Sequence, residues 1–382
     1  MKIVHIVFER PQRHGSGGDL RNLAVFASLS RIGSCSSICV QDAYSAQSKY
    51  PNRKLSFIEA DLPPSLVRQI ADQAMRQKPD LIVIDGMYLA DIARHLAREG
   101  CRVILDMHNV ESVLRKEMDQ VRYGWRAGLL HGKRWRAAEQ AEREVIEIVD
   151  QVWVCSATDA ALVRKLGAGD TAVTIVPNPI PDWCYKAAPK AVSGLSAPRI
   201  LFVGHLGYPP NVVAAKRLLD RIFPQIRKVL PEATMQLCGR TPKKRLIKAA
   251  SKAEGVTLIA NPQELTTYYN HATVVLVPLT EGGGTRLKVL EAMALGLPVV
   301  ATAKAVEGLA VTPGQTFLLA ETDAAFVEAV QRLSAEPKLA MQLADAGLRY
   351  VYDHHSPAAI DTATANGTAS FAQNNRRKIM GQ

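Results

Sequence analysis

Short apolar runs alternate with longer stretches of helical periodicity along this chain, in two consecutive series. In the first series Ile3–Phe8, Ser37–Val40, Leu81–Asp85, Val103–Asp106, Val152–Cys155 and Val173–Val176 read as buried strands. Helical segments such as Leu20–Arg31, Pro64–Arg76 and Leu89–Glu99 lie between them. The second series is Arg199–Val203, Thr234–Leu237, Val256–Ile259, Val274–Pro278, Val299–Ala301 and Thr316–Leu319. A strand that is apolar throughout turns neither face to water, and helical spacers between such strands imply parallel crossovers. Each series therefore predicts a parallel sheet covered on both faces, and the fold class is α/β, two doubly wound domains in tandem. A length of 382 residues agrees, since domains run to about 100–200 residues.

Pro177-Asn178-Pro179-Ile180-Pro181 and the Ala/Ser/Pro/Lys-rich stretch 186–196 resist both helix and strand and mark the linker. The expected division is a domain over 1–180, a linker over 181–197 and a domain over 198–355. Ligands of doubly wound sheets sit at the carboxyl ends of the strands, so the cleft between two such domains is the expected site.

Several classes are excluded. No apolar stretch reaches the roughly 18–20 residues needed to span a bilayer. Met1–Phe8 resembles the core of a secretory signal until Glu9 and Arg10 interrupt it, and it reads as a first strand. The six cysteines (35, 39, 101, 155, 184, 238) contain no Cys-x-x-Cys pair and lie mostly in apolar runs. That pattern predicts reduced, buried thiols and a cytoplasmic protein. A formal charge of +11 leaves nucleic acid, an anionic membrane or a phosphorylated ligand open.

The sharpest motif is Thr280-Glu281-Gly282-Gly283-Gly284-Thr285-Arg286-Leu287-Lys288-Val289-Leu290-Glu291, between a strand and a helix. Its glycines let backbone amides approach a ligand closely, and the helix start adds unpaired N–H groups and a positive dipole end. Arg286 and Lys288 add cations where the dipole is already positive, which suits a diphosphate. Glu291 would repel phosphate and suits sugar hydroxyls instead. The bland alternative is a glycine turn with a solvated Arg/Lys pair and an exposed Glu.

This segment resembles the donor-binding segment of retaining glycosyltransferase family four, the glycosyl transferases group one type with the GT-B fold. Phe202-Val203-Gly204, Leu237-Cys238-Gly239-Arg240 and Val176-Pro177-Asn178 fall where that family has counterparts. The resemblance implies two Rossmann-like domains facing across a central cleft. The acceptor-side domain would be completed by a helix over 356–382, and 198–355 would bind the nucleotide sugar. Glu291 matches the carboxylate that holds the donor ribose. The family's partner Glu eight residues earlier is replaced by Gly283, and its role falls to Glu281 and the glycine amides. The Arg and Lys that usually follow the Val203-Gly204 strand end are missing from Gly204-His205-Leu206-Gly207-Tyr208-Pro209-Pro210-Asn211. Arg240, Arg286 and Lys288 are the expected replacements, although a Pro-braced turn explains 207–211 equally well.

In the first half, Gly15-Ser16-Gly17-Gly18-Asp19 resembles the family's glycine loop, with Gly17 and Gly18 on the donor. Neither a dinucleotide fingerprint nor a P-loop occurs. Asp106-Met107-His108-Asn109 ends a strand. The resemblance places His108 near the transferred sugar, beside the alternative of a structural histidine, with Asp106 in a supporting role. No Asp-x-Asp and no metal-ligand spacing is present, so no metal and no cofactor are expected, and amides with Arg/Lys would neutralise phosphate. Retention without an identifiable nucleophile suggests front-face transfer.

Positions 115, 116, 122, 126, 133, 134 and 136 carry Lys or Arg, interleaved with Tyr123, Trp125, Trp135 and Leu129-Leu130. Such a segment suits an anionic membrane surface on the cytoplasmic face, or a hairpin whose Trp and Leu pack on the sheet while its Arg are solvated. No binding module for nucleic acid accompanies the charge. The tail loses helical signal after Asn366.

The leading expectation is a retaining, metal-independent, hexosyltransferase-like glycosyltransferase with a nucleotide-sugar donor. Its acceptor would be a glycan or lipid-linked glycan, in cell-surface polysaccharide synthesis. The alternatives are a nucleotide-sugar 2-epimerase on the same fold and an inactive nucleotide-sugar-binding partner protein.

Overall fold

The computed structural model describes residues 1–12, 15–47, 62–167, 169–186, 196–283 and 286–379. The chain divides into two compact units, Met1–Pro179 with Pro357–Gln382, and Ile180–Ser356.

The first unit is built on a six-stranded sheet of β1 (Lys2–Val7), β2 (Ser34–Cys39), β3 (Leu81–Asp85), β4 (Val103–Met107), β5 (Gln151–Val154) and β6 (Ala172–Ile175). The strand order is β2-β1-β3-β4-β5-β6, and every pairing is parallel. The second unit carries β7 (Arg199–Val203), β8 (Thr234–Gly239), β9 (Val256–Ala260), β10 (Val274–Val277), β11 (Val299–Ala301) and β12 (Leu318–Leu319). Their order is β12-β11-β10-β7-β8-β9, again all parallel. Both sheets are covered by helices on each face, as their apolar strands require. The central strands β3, β4, β5 and β10 are buried along their whole length. The edge strands β6 and β9 are not buried, against the sequence expectation. An edge strand has a neighbour on one side only, so its exposed positions lose nothing by being polar.

In a doubly wound sheet the crossovers change face where the strand order reverses, and a crevice opens there at the strands' carboxyl ends. That point lies between β1 and β3 in the first unit and between β7 and β10 in the second. Every segment singled out from the sequence as site-forming follows one of these four strands or β4 or β8.

The long helix Pro357–Ile379 belongs to the first unit and packs on the helix Gly17–Ile32. Asp361 accepts from Ser28 Oγ at 2.5 Å and pairs with Arg31 at 2.7 Å, while Ile360 and Phe371 join a core with Val25, Leu29 and Trp153. The helix runs to Ile379, past Asn366 where the sequence signal fades. Packing overrides weak propensity here. Thr364 and Thr368 are buried, the Thr368 hydroxyl donates to the carbonyls of Thr364 and Ala365, and a Cβ at Gly367 would come within 2.7 Å of Trp153 Nε1. The expected linker 181–197 is also corrected in part. Asp182–Lys186 forms a helix of the second unit, because Cys184 is fully buried there and Trp183 stacks near Tyr269. Residues 187–195 lie outside the described residues. Of the thiols, Cys155, Cys184 and Cys238 are buried and Cys35, Cys39 and Cys101 are half-buried, and all six are free.

Gly367→Val should lower the unfolding free energy of the first unit by about 1–3 kcal/mol. Denaturant unfolding followed through Trp153 fluorescence checks this.

Candidate functional site

The two carboxyl-end crevices are best taken unit by unit. In the second unit the chain leaves β10 at Pro278 and reaches the helix Leu287–Ala294 through the glycine turn. Gly282 has φ +98°, a left-handed conformation that glycine adopts without strain. Gly284 and Thr285 lie outside the described residues. Arg286 caps the helix start and is buried. Its guanidinium folds back to donate to the carbonyls of Gly282 and Gly283. Among its bonds in this structure it therefore clamps the turn, and the first-turn amides of Leu287 and Lys288 are left for a ligand.

Lys288 is placed differently. Its ammonium donates to Asn211 Oδ1 at 2.5 Å, lies 4.8 Å from the Phe202 ring centroid, and would sit 3.1 Å from a Cβ at Gly204. A Cβ at Gly239 would strike the Gly204 carbonyl oxygen at 1.6 Å, so the ends of β7 and β8 meet backbone to backbone. Burial pulls the Lys288 pKa down, Arg286 adds to this and Glu291 opposes it, to a result of about 7. A cation held so far below its ordinary value is one awaiting an anion. Asn211 was passed over in the sequence as part of a Pro-braced turn. It spans the gap, since its Nδ2 also donates to the His205 carbonyl at 3.1 Å. Arg240 is exposed at the end of β8, where its carbonyl accepts from the Leu206 amide at 2.8 Å.

Glu291 is 7% exposed, which disposes of the solvated-Glu alternative. Its Oε2 accepts from the Tyr269 hydroxyl at 2.7 Å. Among the described residues its second oxygen has no partner. Burial raises its pKa, while Tyr269 and Lys288 oppose the rise. Tyr269 carried no signal in the sequence beyond being an aromatic in a helix. Glu281 is also buried, at the entry to the turn. The turn, Lys288, Asn211 and Glu291 thus stand together at the β7/β10 switch point: amides and a cation beside a carboxylate acceptor.

In the first unit Gly17 and Gly18 are not in a loop. The helix begins at Gly17, because Ser16 and Asp19 form a reciprocal capping box. Gly18 faces His108, whose Nδ1 would be 3.2 Å from a Cβ added there. The His108 Nε2 lies 2.6 Å from Asp85 Oδ1, at the end of β3. Asp85 Oδ2 accepts from Asn22 and from Tyr88, each at 2.8 Å. Burial pulls the His108 pKa down, but Asp85 and more distant Asp106 outweigh it and the net shift is upward. Burial likewise opposes ionisation of Asp85, and His108 and Asn22 reverse it, so its net shift is downward. Asp106 is taken by Arg21, with Nε at 3.0 Å from both carboxylate oxygens. Asp85, Asp106 and His108 bring potential metal-ligand atoms within 4.8 Å of one another. Asp85, Asn22 and Arg21 were missed in the sequence, because their meeting depends on β1, β3 and β4 being neighbours.

Among the described residues no helix is long and apolar enough to cross a membrane.

Comparison with known proteins then gives a consistent answer. Residues 197–336 match the family Glycosyl transferases group 1, and residues 10–179 match the Glycosyl transferase 4-like domain. Sucrose-phosphate synthase from Thermosynechococcus elongatus superposes with a TM-score of 0.73 at 17% identity, covering 100% of both chains. HepE of Anabaena, in a complex with UDP and glucose, gives a TM-score of 0.65 at 14% identity over 97% of this chain and 100% of that one. An uncharacterized 44.6 kDa protein in the cps region of Klebsiella pneumoniae is 29% identical over 136 residues. That match spans 34% of this chain and 35% of the relative's length.

Two measurements test the geometry. Because an anion restores the Lys288 pKa, nucleoside diphosphate binding should take up about half a proton at pH 7 and close to one proton about one to two pH units higher. The affinity gain is complete below about pH 7 and is lost as the pH rises through the bound-state value. Calorimetry in buffers of different ionisation enthalpy checks the uptake, and Lys288→Ala should abolish it. NMR titration should place His108 above 6.5, and Asp85→Asn should lower it, since burial and Arg21 are then opposed by the Asp106 charge alone. The pair's contribution to stability is present above the ordinary aspartate value of 3.8 and fades as the pH rises through the His108 value.

Proposed function

We propose that this chain, which belongs to the group 1 glycosyltransferases of GT-B fold, moves a hexose from a nucleotide-sugar donor to a glycan or lipid-linked glycan, with retention and without a metal. The observation that carries the donor assignment is Lys288, a half-buried lysine with a depressed pKa at the start of a glycine-led helix, next to the half-satisfied carboxylate of Glu291. A diphosphate answers the first and a ribose hydroxyl pair the second. HepE was crystallised with UDP and with UDP-glucose, which supports the same donor class.

In the proposed reaction the bond between the anomeric carbon and the diphosphate oxygen breaks. The acceptor hydroxyl oxygen bonds to that carbon on the same face, and its proton passes to the departing diphosphate. The turn amides of Gly282 and Gly283, the helix start and Lys288 stabilise the charge that develops on the leaving group, with Arg240 at the rim. Arg286 serves by holding the turn in shape. Glu291 fixes the ribose, and Glu281 with the turn amides faces the donor sugar. His108, oriented by Asp85, touches a hydroxyl of the transferred sugar, and Gly17 and Gly18 let the donor approach it. The protein's contribution is orientation and preorganised charge. The relative from a cps region favours polysaccharide synthesis as the setting, on the cytoplasmic side of the membrane.

Incubation with a panel of nucleotide sugars should release nucleoside diphosphate in an acceptor-dependent manner, unaffected by EDTA, and Glu291→Gln should weaken donor binding by about 10–100-fold. Interconversion of the sugar nucleotide would identify an epimerase instead. Binding without turnover would identify a partner protein. Loss of activity in EDTA would remove the metal-independent mechanism.

A further inference from the structure

From Glu111 to Ile146 the first unit carries two helices, Glu111–Tyr123 and Ala127–Ile146, joined by a single turn over Gly124–Arg126. They form an antiparallel hairpin that leaves the end of β4 three residues beyond His108. The hairpin is a built structure. Glu142 caps the first helix by accepting from the amides of Glu111, at 2.6 Å, and Ser112, and Trp135 Nε1 donates to Asp119 at 2.8 Å. Beyond Ala127, which is fully buried, no residue from Gly128 to Ala141 is buried. The alternative in which its Trp and Leu residues cover the sheet is therefore overturned. Trp125 is 79% exposed, Leu129 80% and Leu130 61%.

Cations surround this apolar tip. Arg126 lies over the Trp125 ring at 5.3 Å. Lys133 and Arg134 are exposed one helical turn behind Leu129 and Leu130 on the same face, three and four positions on. Among the described residues none of these three is ion-paired. Two carboxylates of the hairpin are engaged by other residues: Asp119 by Trp135, and Glu139 by Arg143.

We propose that the hairpin tip docks the protein on an anionic phospholipid bilayer, with Trp125, Leu129 and Leu130 entering the interface and Arg126, Lys133 and Arg134 meeting the lipid phosphates. Charge complementarity selects this occupant. A second copy of the chain would bring the same unpaired cations against themselves. Nucleic acid would satisfy the cations but give Leu129 and Leu130 nothing apolar to enter. A bilayer surface offers both, phosphates at the surface and hydrocarbon beneath. The inference deepens the proposed function only in favouring a lipid-linked acceptor, and its test uses neither donor nor acceptor.

Full-length protein is floated with phosphatidylcholine–phosphatidylglycerol vesicles and with phosphatidylcholine alone, and tryptophan emission is recorded. The expected result is flotation with the anionic vesicles, weakened by salt, with a blue shift that Trp125→Ala removes. Lys133→Glu with Arg134→Glu should lower partitioning by at least about thirtyfold, and Leu129→Ser with Leu130→Ser should abolish the shift. All these side chains are exposed, so circular dichroism and the unfolding midpoint should stay unchanged. The proposal is overturned if anionic vesicles at low salt do not float the protein, or if neutral vesicles bind it equally. Self-association that Leu129→Ser abolishes would also overturn it and assign the face to a second copy. Any of these failures leaves the transfer reaction to be judged by its own assay.

Discussion

Arg21 is 1% exposed, yet it bonds to two other parts of the first unit. From the helix after β1 its Nε and Nη2 hold Asp106 at the end of β4, and its Nη1 holds the carbonyl of Val176 at 2.6 Å and Asn178 Oδ1 at 3.0 Å. A buried guanidinium is tolerable only when its donors are engaged and its charge is matched, so the end of β4 and the segment Val176–Asn178 are obliged to converge on it. That convergence sets the spacing between β4 and the first helix, and it lets Asp85 on β3 turn to His108 rather than compete for the same cation. Without Arg21, Asp85 and Asp106 would stand as two buried carboxylates with one histidine between them.

The second unit solves a similar problem with less charge. Among the described residues, Lys288 has no carboxylate bonded to it. It has an amide oxygen, an aromatic face and a helix dipole of the wrong sign, and so it stays responsive to an incoming anion. The contrast is between a charge fully paired by the fold, which positions, and a charge left partly unpaired, which binds. Both lie where their sheet's strand order reverses.

Much of this was legible in the sequence. The strands are apolar runs bounded by turn residues, and their alternation with helical spacers leaves little choice but parallel sheets. The glycine turn, Lys288 and Glu291 were legible because they are contiguous. Asp85, Asn22 and Tyr269 were not, because each looks ordinary in its own segment and acquires meaning only from a neighbour far away in the chain. The helix Pro357–Ile379 was under-read for a related reason: its Thr, Asn, Ser and Gly residues are poor helix formers alone, and Gly367 is useful only beneath Trp153. Arg286 shows the reverse error, since a basic residue at an anion site invites a direct role and the fold uses it to brace the turn.

The return of that last helix to the first unit also bears on the order of assembly during synthesis. The core around Val25, Leu29 and Trp153 is closed by Ile360 and Phe371, so the first unit stays open on one side until the residues after Ser356 have left the ribosome. The second unit, by contrast, is one continuous stretch, Ile180–Ser356. Folding from the N-terminal domain onward is the usual course during translation, and this connectivity works against it. The inserted unit can be finished first, and the core of the first unit around Val25 and Leu29 is sealed after it.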